Sequence, residues 1–312
     1  MNVFSSRRAL LRRIGQVALI GLWGLPGLLP DAVIARTELA QPIVVRDDRG
    51  TEHRLAAPPQ RIITLLPSLT ELVWALGAGP RLVGVDRYSN WPAAVARLPH
   101  LGGLDDPQIE AIAALKPDVI LASTWSRAVD RLEALGFTVV RLKSETHGDV
   151  RRSLDLLARL FGTPAEGARV WARLEQEIGA AAARVPAALR GQRVYFEIDG
   201  GPYAAGTSSF IGETLARLQM GNIVPAALGP FPKLNPEFVV RAKPDVIMGA
   251  QRELAALTQR PGWDSLTAVR EHRMCGFDSA AADILVRPGP RLGEAAGLLA
   301  DCLARLGRGA AR

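Results

Sequence analysis

The chain has 312 residues, 48% of them apolar, and carries 38 Lys and Arg against 31 Asp and Glu, a formal charge of +7. That length and apolar content suit two hydrophobic cores better than one. The arginines are spread along the chain with no basic run and no interleaved aromatics, which argues against nucleic acid as a partner.

Residues 1–35 read as a secretory signal. Arg7, Arg8, Arg12 and Arg13 form a charged start, residues 14–29 are apolar, and Val33-Ile34-Ala35 offers small residues for cleavage. Ser6-Arg7-Arg8-Ala9-Leu10-Leu11-Arg12 also resembles the twin-arginine export motif. Gly and Pro interrupt the apolar run, against a retained anchor, and no cysteine near the cleavage site supports a lipid anchor. Removing the segment takes away four Arg and one Asp, so +7 falls to +4. Export by one of these routes is expected.

Residues 36–57 read as a lead-in, with Ile43-Val44-Val45 and an Asp-Asp-Arg-Gly turn at 47–50 suggesting a hairpin. A first α/β lobe is expected over 58–147. Ile62-Ile63-Thr64-Leu65-Leu66 is a buried-type strand, and Ser68 is expected to cap a helix that ends at Gly77. Strands follow at 82–85, 119–122 and 137–142, with a helix near 130–135. Between 148 and 186 no strand interrupts the chain. Leu154, Leu157 and Leu160, then Val170, Leu174 and Ile178, fall on helical spacing, with Gly162-Thr163-Pro164 between the two sets. A short helix and a long one should therefore join the lobes as a stiff spine. A second α/β lobe is expected over 187–312, from a strand at 193–198 to a final helix at 291–306.

One unit occurs in both lobes. Asp106-Pro107 opens a segment that reaches Lys116-Pro117-Asp118-Val119-Ile120, and Asn235-Pro236 opens one that reaches Lys243-Pro244-Asp245-Val246-Ile247. Asp106 and Asn235 are expected as N-caps, with proline at the first helical position. Each helix must stop before its second proline, which disfavours helix in its predecessor. Alternating strands and helices with short connections imply mainly parallel sheets.

His53, His100, His147 and His272 are scattered without metal-ligand spacing, so no metal site is expected. There is no Gly-x-Ser-x-Gly elbow, no phosphate loop and no supported Cys-His pair, so no catalytic residue is assigned. Gly77-Ala78-Gly79-Pro80 follows a helix instead of opening one and reads as a helix stop. Cys275 and Cys302 could pair in an oxidising compartment or stand as two buried thiols; their spacing does not decide.

Three segments, in this order and spacing, carry a resemblance. They are residues 61–71 (Arg-Ile-Ile-Thr-Leu-Leu-Pro-Ser-Leu-Thr-Glu) with Gly77 and Val83-Gly84-Val85, the paired Lys-Pro-Asp-Val-Ile, and Ser208-Ser209-Phe210-Ile211-Gly212-Glu213 with Gly221-Asn222-Ile223. Over 58–307 the chain resembles the periplasmic binding proteins that serve ABC importers of cobalamin, haem and ferric siderophores. The resemblance implies two Rossmann-like lobes joined by one long rigid helix, the class III periplasmic-binding fold. It implies a monomer without cofactor or enzymatic activity, holding a small-molecule ligand in the cleft between lobes. It also implies a glutamate on each lobe that docks on the two-fold permease, matched to Glu71 and Glu213. Ser68-Leu69-Thr70-Glu71 reads equally as a capping box, a compatible role.

Loops at the carboxyl ends of strands should line the cleft. The expected ligand-binding residues are Tyr88, Trp91, Trp125, Tyr203, Asp283 and Arg287, with large aromatics suited to a flat, partly apolar macrocycle. Tyr88-Ser89-Asn90-Trp91-Pro92 and the stretch from Asp283 to Arg291 resemble the cobalamin-binding branch. Departures are Leu104 where that branch has tryptophan, and Ile284 and Leu285 in place of aromatics. Cys302 matches one half of that branch's disulfide; Cys275 would have to serve as the other. Corrinoid ranks first among ligands, then ferric siderophore, with Arg87, Arg127, Arg252 and Arg287 available to an anion. Haem, with Tyr88 or His100 as axial ligand, ranks third. An exported metal-ion binder or metalloenzyme is the more distant reading.

Overall fold

The structure is a computed structural model that describes residues 41–199 and 203–309. The expected signal segment and its twin-arginine motif lie outside the described residues. The lead-in forms an antiparallel hairpin of β1 (Ile43–Arg46) and β2 (Glu52–Leu55). Its turn is held by Asp47, whose Oδ1 accepts from the N–H groups of Arg49 and Thr51.

The first sheet is built from β3 (Ile62–Thr64), α1 (Pro67–Ala75), β4 (Leu82–Val85), α2 (Ile109–Ala114), β5 (Val119–Ser123), α3 (Asp130–Ala134) and β6 (Val139–Leu142). Its strands run parallel in the order β4-β3-β5-β6. Every residue of β3, β5 and β6 is buried, as sheets covered by helices on both faces require. Next come α4 (His147–Leu160) and α5 (Pro164–Ala183). The 20 residues of α5 span about 30 Å at 1.5 Å per residue. The side chains of Val170, Leu174, Ile178 and Ala181 on α5 are buried in the core that also takes in α4 and the last helix.

The second sheet gathers β7 (Arg193–Asp199), β8 (Tyr203–Ala204), α6 (Phe210–Arg217), β9 (Gly221–Asn222), α7 (Pro236–Ala242), β10 (Val246–Ala250), α8 (Gln251–Ala255), α9 (Thr267–Arg270), β11 (Met274–Phe277), α10 (Ser279–Leu285) and α11 (Leu292–Gly309). Its order is β11-β10-β7-β8, with β9 also on β7 and only β8 antiparallel. Strand β11 and helix α10 were not anticipated, since Met-Cys-Gly-Phe has neither alternation nor a β-branched run. Cys275 on β11 is disulfide-bonded to Cys302 on α11.

The repeated Lys-Pro-Asp does the same work in both sheets. Lys116 and Lys243 end their helices in the left-handed region, at φ of 46° and 48°, because the following proline denies them the helical one. Asp118 Oδ2 then accepts from the N–H groups of Gln60 and Arg61 at 2.7 and 2.9 Å. Asp245 Oδ2 accepts from the N–H of Arg193 at 2.7 Å. Each aspartate thus stitches the start of its own strand to the start of the neighbouring one.

The capping expectations divide. Asn235 caps α7 by accepting from the N–H of Glu237. Asp106 does not cap α2, whose N-cap is Gln108; its carboxylate accepts from the N–H of Gly103 and pairs with Arg87. The turn at Gly102 explains this: its φ is +92°, and a Cβ there would meet the Asp106 carbonyl at 2.2 Å. That close approach draws Asp106 into the loop ahead of the helix.

Candidate functional site

A cavity of about 660 Å³ opens where the carboxyl ends of both sheets face each other. From the first sheet it takes the β3–α1 turn at Leu66, Tyr88 after β4, Trp125 after β5 and Glu145 after β6. From the second it takes Ile198 at the end of β7, Phe210 at the start of α6, Phe231, and the segment from Asp283 to Pro288. Tyr88 is 60% and Trp125 67% exposed, although both are large aromatics. With Phe210 and Phe231, which meet edge to face at 5.7 Å, they give the cavity an aromatic wall.

Tyr88 is presented by a rigid loop. Asp86 is buried, and its carboxylate accepts from the N–H of Tyr88 at 2.8 Å and from the hydroxyl of Ser89. Ser89 continues a line of hydroxyls through Thr70 to Thr64, at 2.7 and 2.6 Å. Burial pushes the Asp86 carboxyl above the usual carboxylate range, although the hydrogen bonds from Ser89 and Tyr88 pull it back.

Beside the cavity lies a polar network. Arg287 donates to Glu71 Oε1 at 3.1 Å, Asn90 Oδ1 at 2.7 Å, the Tyr88 carbonyl at 3.2 Å and Asp283 Oδ2 at 2.8 Å. Asn90 donates in turn to Asp283 at 2.8 Å. Arg291 grips both oxygens of Glu71, at 2.9 and 2.7 Å, while its guanidinium lies 4.8 Å from the Trp91 ring centre. Glu71, Tyr88, Asn90 and Trp91 belong to the first sheet's segments and Asp283, Arg287 and Arg291 to the second's, so the network ties the two halves together.

Four of the six expected ligand residues, Tyr88, Trp125, Asp283 and Arg287, line the cavity. The other two do not. Trp91 is turned onto Arg291, and Tyr203 sits on the short strand β8 with Lys233 over its ring at 5.8 Å. Phe210 and Phe231 were missed. Phe210 could have been found from its place at a helix start after a strand; Phe231, between prolines in an irregular stretch, carried no signal.

The structure places both glutamates expected to dock in internal contacts. Glu71 is 1% exposed and its carboxylate is spent on Arg287 and Arg291, so it offers no charge at the surface. Nor is it part of a capping box. Helix α1 starts at Pro67 with Leu66 as N-cap and no side-chain cap bond, and the Ser68 hydroxyl is buried without a partner. Glu213 is half-buried and accepts from the N–H of His147 at 2.5 Å, beside the positive end of α4. His147 Nε2 donates to the Phe210 carbonyl at 3.1 Å and lies 2.9 Å from the Thr214 hydroxyl. Burial depresses its pKa below 6.5, with the Glu213 charge opposing. Glu213 thus helps fasten the joining helices to α6.

Among the described residues there is no cluster of three or more His, Cys, Asp or Glu that could hold a metal ion. No helix is long and apolar enough to cross a membrane among these residues.

Residues 62–281 match the family described as periplasmic binding protein. The chain belongs to that family. A member named as a cobalamin-binding protein, from Halobacterium salinarum, is 31% identical over 66% of this chain, and the match spans 58% of that relative. The periplasmic vitamin B12 binding protein BtuF of Vibrio cholerae superposes with a TM-score of 0.67 at 26% identity, over 80% of this chain and 98% of its own. The periplasmic heme-binding protein RhuT from Roseiflexus does so with a TM-score of 0.68 at 25% identity, over 79% and 98%.

Proposed function

We propose that the mature protein is the substrate-binding component of an ABC importer and captures a corrinoid in this cleft. The observation that carries the reading is the cavity, lined by Tyr88, Trp125, Phe210 and Phe231 together with Arg287 and Asp283. Flat apolar area with a few fixed polar groups suits a macrocycle that bears amide side chains. The likeness to vitamin B12 and cobalamin binders supports this choice. The disulfide supports an oxidising compartment, in keeping with the periplasm. A second reading, haem, is favoured by the Tyr88 phenol at the cavity as an axial ligand and by the likeness to a heme-binding protein.

For permease docking the geometry favours another pair. Glu110 and Glu237 occupy the same place in the repeated unit, six residues before Lys116 and Lys243. Both lie exposed in the first turn of their helices. Each helix runs antiparallel to the strand that follows, so these turns sit near the carboxyl edges of the two sheets. A pseudo-symmetric pair of exposed charges fits a two-fold permease. Glu71, held in an internal ion pair, does not.

Calorimetric titration of the purified protein with cobalamin, followed by recovery of the ligand, tests the function. One equivalent bound and recovered unchanged is expected. Chemical conversion of the ligand would point to an enzyme, and binding of hemin alone would replace corrinoid with haem.

A further inference from the structure

A second cavity, of about 450 Å³, lies between the end of β10 with α8 and the end of β11 with α10. Asp283 lines this cavity and the main cleft alike, so a single half-exposed side chain is their shared wall. The carboxyl ends of adjacent parallel strands are where open α/β sheets hold ligands. The chemistry of the two spaces differs. Aromatic and aliphatic groups dominate the cleft, whereas the second cavity is lined by Gln251, Arg252 and Ser279 together with Phe277 and two carboxylates, Asp278, which caps α10, and Asp283, which is paired with Arg287.

Small side chains keep this space open. Ala255 on α8 and Ala282 on α10 stand on opposite sides of it, where larger residues would fill it. Arg252 forms an ion pair with its chain neighbour Glu253, at 2.8 Å and with Arg252 80% exposed. Such an exposed pair is weak and leaves the guanidinium free to turn to an anionic oxygen.

We infer that this second cavity is a subsite for a polar appendage of the same ligand whose flat body fills the main cleft. It would receive hydroxyls at Gln251 and Ser279 and one anionic group at Arg252. On the corrinoid reading, on which this inference rests, the appendage is the nucleotide arm, with its ribose hydroxyls and phosphodiester. The subsite would make the protein discriminate complete corrinoids from those lacking the arm.

The test compares cobalamin with cobinamide, which has the corrin ring without the nucleotide, by equilibrium titration. The unaltered protein should bind cobalamin at least tenfold more tightly. Ala282→Trp should bring the ratio to within twofold by weakening cobalamin while leaving cobinamide unchanged. Ala255→Trp, on the other helix, should do the same and decides the matter should the first variant not fold. Arg252→Ala should lower the ratio in part. Equal affinity of the unaltered protein for both ligands would overturn the subsite and leave the corrinoid reading standing. So would an undiminished ratio in folded tryptophan variants. Failure of the unaltered protein to bind either corrinoid would overturn the reading and the subsite together.

Discussion

Replacing Glu71 by Gln tests whether this residue is an internal clamp. Its carboxylate is 1% exposed and receives three hydrogen bonds from two guanidinium groups whose side chains are 9% and 11% exposed. Removing one partner of a buried pair leaves the other charge uncompensated and costs about 3–5 kcal/mol. Gln keeps the shape and one acceptor, but its NH2 faces a cation, so the lower end, about 3 kcal/mol, is expected. Urea unfolding of the two proteins reads the difference directly. The loss should persist in 1 M salt, because screening reaches buried pairs poorly. Glu110→Gln, on an exposed helix turn, serves as control and should stay within about 0.5 kcal/mol of the parent. Ligand affinity should also fall in Glu71→Gln, since Arg287 loses one of the two carboxylates that fix it beside the cavity. A Glu71→Gln protein as stable as the Glu110→Gln control would refute the clamp.

Replacing both cysteines by Ala opens a link across 27 residues, for which chain entropy gives about 3.5 kcal/mol of lost stability, visible as a lower melting temperature. Burial lowers the folded-state pKa of His147 below 6.5, so the unfolded chain binds the proton more readily. Its contribution should be full above 6.5 and be lost as pH falls from there through the folded pKa; comparing pH-dependent melting of the parent with His147→Gln checks this, and identical slopes would refute it. Trp125→Ala should weaken ligand binding about tenfold or more by removing a large exposed aromatic from the cleft, with unfolding stability unchanged. Charge reversal at Glu110 and Glu237 should reduce uptake in cells while leaving ligand affinity intact; unimpaired uptake would remove them from docking.

The two-lobed frame was legible because local signals specify it. Proline after α2 and α7, the capping Asn235 and the largely apolar strands leave few alternatives, and the repeat marks the same unit twice. The aspartates of that repeat were visible, but their bonds to Gln60, Arg61 and Arg193 were not, since those partners lie 52 to 58 residues away. Glu71 shows the same limit more strongly. In sequence it looks like a cap residue, and only the fold brings Arg287 and Arg291 to it from 216 and 220 residues away. Strand β11 was hidden by its Gly and Cys, so α10 went unseen too, and with it the pairing of Asp283 on α10 with Arg287 just past its end. In the cleft, residues placed just after clear strands were found, whereas Phe231 in an irregular loop was not.

The central claim is that the aromatic cleft holds a macrocyclic ligand. Titrating the protein with cobalamin while following tryptophan fluorescence tests it most directly, with Trp125→Phe measured alongside. Saturable one-to-one quenching is expected, with a large part of the amplitude missing in Trp125→Phe, because Trp125 is the tryptophan among the cavity's lining residues. Absence of saturable quenching by cobalamin, and by hemin in the same format, would contradict the account.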